Sequence, residues 1–172
     1  MKKIIGLVLS LTVIAGVCAA VLAYVNTITR GPIAEMLVKK TVDAAKAVMP
    51  QGVADVAETA GGVFVGTAAD GTVVGYAVTG ADAGGYGGDV VLMVGFQADK
   101  KTVVCYKTLA AAETPGLGMK LNTPEFSGQF GGKDATTLKV KKDGGAIEAI
   151  TAATITSRAV CRAIAAAAAK LQ

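Results

Sequence analysis

Four hydroxyl side chains, Thr151, Thr154, Thr156 and Ser157, fall within seven positions of the run Glu148-Ala149-Ile150-Thr151-Ala152-Ala153-Thr154-Ile155-Thr156-Ser157. An alanine-rich stretch of helical character follows at once. One Ser or Thr is enough to cap the first turn of a helix, so three hydroxyls are left over. The chain contains no histidine, so none of them can belong to a Ser-His-Asp triad. A helix N-terminus does favour phosphate, through its unpaired amides and the macrodipole, and Ala152 and Ala153 leave the approach uncrowded. Two readings follow. Either one hydroxyl caps the helix while a neighbour binds, or is esterified by, a phosphate group, or the cluster is simply a hydroxyl-rich cap.

A second segment, Glu113-Thr114-Pro115-Gly116-Leu117-Gly118, reads as a tight turn. Pro115-Gly116 suits a β-turn with glycine at the position of positive φ, and Gly118 removes a side chain where a flat group could approach. It is either a binding rim carrying Glu113 and Thr114 or only a tight loop. The glycine-rich Gly84-Gly85-Tyr86-Gly87-Gly88 lacks the Lys-Ser/Thr of a phosphate loop and leads into a strand, so it reads as a flexible hairpin.

Composition narrows the chemistry further. Setting Lys2 and Lys3 aside leaves 15 basic against 13 acidic residues, and the chain has no Trp. Such a balance provides no basic, aromatic surface for nucleic acid. Without histidine, His-ligated zinc and haem are excluded. Cys18, Cys105 and Cys161 are widely spaced and too few for an iron–sulfur cluster. Cys105 and Cys161 are read as buried thiols, with a disulfide between them as the alternative in an oxidising compartment.

These segments need elements to position them. Ile4 to Tyr24 is uncharged and long enough to cross about 30 Å of hydrocarbon as a helix. It exceeds a signal-peptide core, which favours an anchor over a cleaved leader. Lys2 and Lys3 ahead of it place the N-terminus in the cytoplasm and the rest of the chain outside. Pro32 opens a new helix closed by Pro50. Short Val- and Thr-rich strands are expected at about 62–68, 72–79, 89–97 and 102–109, with a short helix at 123–126 and further strands in Thr137–Lys142 and Ala146–Ile150. A last helix runs from about Thr156 to Leu171. The fold class is α+β: one N-terminal transmembrane helix (1–30), a connecting helix (31–50), and one domain (51–172) with an antiparallel sheet and flanking helices.

Together the two motifs carry a resemblance. Glu148–Thr154 is similar to the flavinylation signature Asp-x-x-Ser/Thr-Gly-Ala-Thr of FMN-binding domains, and Glu113–Gly118 matches that family's other hallmark. The family includes the G subunit of Rnf-type ion-translocating electron-transport complexes and the C subunit of the sodium-pumping NADH:quinone reductase. Order, spacing and the single N-terminal span agree, and the compact chain resembles the Rnf G subunit more closely. The resemblance implies FMN joined by its phosphate to Thr154 by a flavin transferase, which would explain how the chain manages without an internal base. Thr151 and Ala153 would complete the signature, and Thr156 and Ser157 match the Thr-Ser that commonly follows it, where they would cap the helix or bind phosphate oxygens. Glu113, Thr114, Gly116, Leu117 and Gly118 would line the flavin pocket. It also implies a single-pass subunit of the cell membrane, with its domain extracytoplasmic, relaying electrons among other membrane and redox subunits of a ferredoxin:NAD oxidoreductase complex. Such a subunit has no catalytic residue of its own, no metal and no turnover alone. A free-standing FMN shuttle and a non-redox membrane-anchored scaffold are the competing functions. Two positions depart from the signature. Glu148 stands for Asp, one methylene longer, and Ala152 stands for Gly, where a Cβ is expected to block positive φ.

Overall fold

A computed structural model describes residues 2–59 and 61–172, and the side chains of Lys2 and Lys3, on which the orientation rests, lie outside that description. The chain divides into two compact units, Met1–Lys40 and Thr41–Gln172.

The described residues of the first unit, 2–40, are all helical. One continuous helix, α1, covers Lys2–Val48 with Pro32 inside it, so Pro32 does not open a new helix as its sequence position suggests. Every residue from Ile4 to Lys40 is exposed. An 18-residue window of this helix reaches a mean hydropathy of 2.6 with none of it buried, making it long and apolar enough to cross a membrane. Exposed Ile, Leu and Val at this density belong in hydrocarbon rather than water.

In the second unit, five strands form an antiparallel meander in the order β1-β2-β3-β4-β5: β1 (Asp55–Thr59), β2 (Val63–Thr67), β3 (Val73–Asp82), β4 (Val90–Gln97) and β5 (Val103–Ala111). The turns are fixed by aspartates. Asp70 accepts from the Thr72 amide, and Asp99 accepts from the amides of Lys101 and Thr102. Alternation sorts the strand residues between two faces. Val78, Leu92 and Val94 join Ala159, Val160, Ala163, Ile164 and Ala167 of the last helix, α3 (Thr154–Ala169), in one core. Ala77 and Met93 join Phe64 and the end of α1, Ala44, Ala45 and Val48, in another. Cys161 belongs to the first core, while Cys105 packs against the second and donates to the Val48 carbonyl. The two thiols are free. Burial raises both pKa values, that of Cys161 to about 11, so both stay protonated near neutrality.

Sequence reading missed β1, an edge strand whose Asp-Val-Ala-Glu-Thr is almost wholly exposed and lacks apolar alternation. It also placed two strands near the C-terminus that are absent. Residues 138–150 make only one parallel bridge, Val140 with Ile147. Their amides turn inward locally instead, with Asp143 and Gly145 both donating to the Val140 carbonyl. Leu138, Val140, Ile147 and Ile150 are each buried in the α3 core, so their spacing records anchoring points rather than a ladder.

Candidate functional site

Where β5 ends, the chain reaches Glu113, which is 6% exposed. No cation meets this carboxylate among the described residues. Instead Oε1 accepts from the Tyr86 amide at 2.9 Å and Oε2 accepts from the Thr156 hydroxyl at 2.9 Å. A buried carboxylate is tolerable only when its oxygens are satisfied. Here the satisfaction comes from two distant segments, so Glu113 ties the 84–88 loop, its own loop and the start of α3 together. Between the three opens a cavity of about 490 Å³ lined by Tyr86, Glu113, Thr114, Leu117, Gly118, Ala152, Ala153, Thr154, Ile155 and Thr156. A Cβ on Gly118 would come within 2.5 Å of Glu113 Oε2 and 2.9 Å of Thr156 Oγ1, so only glycine lets the wall close this tightly. Behind it a short 3₁₀ turn, Gly118–Asn122, is held where the Tyr106 hydroxyl donates to the Leu121 carbonyl.

The four hydroxyls have four different situations. Helix α3 begins two residues earlier than its sequence suggests, with Ala153 as N-cap and no side-chain cap. The hydroxyl-cap reading therefore fails for Thr156 and Ser157, which lie inside the first turns. Both are fully buried. Thr156 donates to Glu113, and Ser157 donates to the Ala153 carbonyl while accepting from the Ile150 amide, each at 2.9 Å. Thr151 is exposed and lines a neighbouring cavity with Glu148, Lys120 and Gln129. Thr154, the first residue of α3, is half-buried on the 490 Å³ cavity, and its hydroxyl has no hydrogen-bond partner among the described residues. Nor does any acceptor meet the amides of Thr154, Ile155 and Thr156. That leaves the exposed end of the helix dipole free for an anion.

Ala152 overturns one expectation. It adopts φ 61° despite its Cβ, so alanine does not block the conformation that glycine would take there. Left-handed backbone costs a non-glycine residue about 1–2 kcal/mol. The surrounding bonds, Ala153 amide to Ile150 carbonyl and Ser157 to both Ile150 and Ala153, hold it in place.

Comparison with known proteins bears directly on this arrangement. The family model of the FMN-binding domain matches residues 85–169, a span that contains every residue lining the cavity. The G subunit of the ion-translocating oxidoreductase complex of Methanosarcina acetivorans is 32% identical over 95% of this chain and 92% of its own. The G subunit of the Na⁺-translocating ferredoxin:NAD⁺ oxidoreductase complex of Acetobacterium woodii is 32% identical over 92% of this chain and 87% of its own. The chain belongs to the family of G subunits of ion-translocating oxidoreductase complexes. Among solved structures, the C subunit of the Na⁺-translocating NADH-quinone reductase of Parabacteroides distasonis superposes with a TM-score of 0.51 at 27% identity, covering 63% of this chain and 60% of that one.

The residues lining the cavity of this family member fit FMN. The cavity volume lies within the range of small-molecule sites. Free amides at the α3 terminus suit a phosphate, while Leu117, Ile155 and Tyr86 offer an apolar surface to a ring. Of the residues expected at the site, the structure brings together Glu113, Thr114, Leu117, Gly118, Ala153, Thr154 and Thr156. Gly116 is outside the lining and supplies the turn, at φ 76°. Thr151 and Ser157 are also outside, one in the neighbouring cavity and one sealed beneath the helix. Glu148 is exposed and paired with Lys141 at 2.5 Å. The sequence reading missed Tyr86 and Ile155, and it took Ala152 as a departure from the signature rather than as part of the wall. Ile155 could have been found as the one apolar residue between two hydroxyls at a helix start.

Proposed function

We propose that this single-pass membrane subunit carries FMN as a phosphoester on Thr154 Oγ1, made by a flavin transferase, and relays electrons between other subunits of an ion-translocating ferredoxin:NAD oxidoreductase. The domain would face the extracytoplasmic side. One observation carries the reading. Of the four clustered hydroxyls, Thr154 alone faces the cavity with its oxygen uncommitted, beside three unclaimed amides. Bound FMN supplies one- and two-electron chemistry. The chain's part is to hold it. The α3 terminus meets the phosphate charge, the apolar wall excludes water, and a covalent link keeps the cofactor from diffusing away outside the membrane.

Co-expression with a flavin transferase tests the attachment. Thr154→Ala is expected to fold, by circular dichroism, and to show no flavin fluorescence in a denaturing gel. Thr156→Ala keeps the fluorescent band. Mass spectrometry of the 143–158 peptide should map the adduct to Thr154. A fluorescent Thr154→Ala band, or an adduct on Thr151, Thr156 or Ser157, defeats the assignment. Protease access to the domain in intact protoplasts tests its side of the membrane.

A further inference from the structure

The glycine-rich loop at 84–88 is more than a flexible hairpin. It is held at three points. The Gly84 amide donates to Asp82 Oδ1 at 2.8 Å, Arg162 donates to the Gly84 carbonyl at 3.3 Å, and the Tyr86 amide donates to Glu113 at 2.9 Å. Close packing requires two of its glycines, Gly85 and Gly87. A Cβ on Gly87 would collide with the Ala112 carbonyl, and one on Gly85 with the Gly88 carbonyl and with Glu113 Oε1 at 2.7 Å. Four glycines and their anchored neighbours thus present a single side chain, Tyr86, and it lines the cavity while remaining 72% exposed.

Tyr86 has company. Among the described residues of the second unit the large hydrophobics left exposed are Val73, Tyr86, Leu117 and Ile155, and the last three all line this cavity. Three of the domain's four exposed large hydrophobics gathered at the mouth of one cavity mark a surface that something covers. Resting on the FMN reading of the cavity, we propose that Tyr86 is the aromatic cover of the flavin ring, packed against it and shielding it from water. A planar, largely apolar ring system is what an aromatic side chain of this exposure is suited to meet. The rigid backbone beneath it lowers the ordering cost of that contact.

A phenol touching an excited flavin transfers an electron to it and regains that electron on recombination, so emission is quenched with no net redox change. The test uses the full chain in detergent, both loaded by co-expression with a flavin transferase and unloaded but titrated with free FMN. The parent's flavin should be dim and poorly quenched by iodide. Tyr86→Phe should be severalfold brighter yet still shielded, Tyr86→Leu bright and open to iodide, and Tyr76→Phe like the parent. Emission from both Tyr86 variants equal to the parent's, as a rim built for a protein partner would give, overturns the proposal. So does a Tyr86→Leu protein no more open to iodide than the parent, or a chain that takes up FMN in neither form. Covalent FMN is counted separately on denatured protein. Failure to attach FMN while free FMN still binds therefore sinks the Thr154 assignment alone and leaves Tyr86 measurable.

Discussion

The segment 148–157 faces two cavities, and its halves are built differently. The outer half, Glu148 to Thr151, lines the cavity shared with Lys120 and Gln129, and Glu148 is held at the surface: Lys141 on its carboxylate and half-buried Gln129 on its backbone. The inner half, Ala152 to Ser157, turns through a left-handed residue into α3, and its hydroxyls are committed to buried acceptors, except Thr154. A contiguous sequence signature is therefore not one contiguous site. Its outer polar residues, Glu148 and Thr151, are exposed, and its inner ones shape the wall and leave one oxygen free.

The largest effect should come from the inner half's anchor. Removing Glu113 as Glu113→Ala strips the acceptor from both the Tyr86 amide and the buried Thr156 hydroxyl. Hydrogen bonds to a charged group, and donors left unsatisfied on its loss, predict destabilisation of about 2–3 kcal/mol. Denaturant unfolding should show it. In a double-mutant cycle with Thr156→Val the two costs should fail to add by about 0.5–3 kcal/mol, because both act on one bond. Strict additivity would mean that Glu113 does not join the walls through Thr156.

A smaller change of opposite sign is expected at the hinge between the halves. Ala152→Gly should stabilise the protein by up to about 1 kcal/mol, since the relief of left-handed strain exceeds the added flexibility of the unfolded chain. A loss of stability would show that the Ala152 Cβ contributes packing worth more than the strain.

Much of this arrangement is legible in the sequence, and the limits have physical causes. Strands β2 to β5 announce themselves because Val-rich apolar runs sit between turn-forming aspartates and glycines. The Glu113–Gly118 turn and the hydroxyl run stand out because their residue types are unusual together. What the sequence does not show is commitment. Thr154, Thr156 and Ser157 look equivalent as hydroxyls, and only the distant Glu113 carboxylate and the nearby Ile150 amide distinguish them. Tyr86 is hidden for another reason. The four glycines around it read locally as breakers, and the reason two of them must be glycine, the contacts of Gly85 with Glu113 and of Gly87 with Ala112, is a long-range fact.

The smallest effect belongs to the outer half. Both partners of the Lys141–Glu148 ion pair are largely exposed, with side-chain exposures of 60% and 69%, so water and salt screen most of its energy. The Lys141 ammonium, by hydrogen bond and by charge, holds the Glu148 carboxyl below its ordinary value of 4.5. Because the folded-state pKa is depressed, any stability the pair contributes is present above pH 4.5 and is lost as pH falls through the lower folded value. Glu148→Gln should therefore match the parent closely in Tm at neutral pH, with any small deficit shrinking in acid and in high salt. A large deficit at neutral pH, or one that grows on acidification, would mean that Glu148 is wired into the fold as the inner residues are, and the contrast between the two halves would be lost.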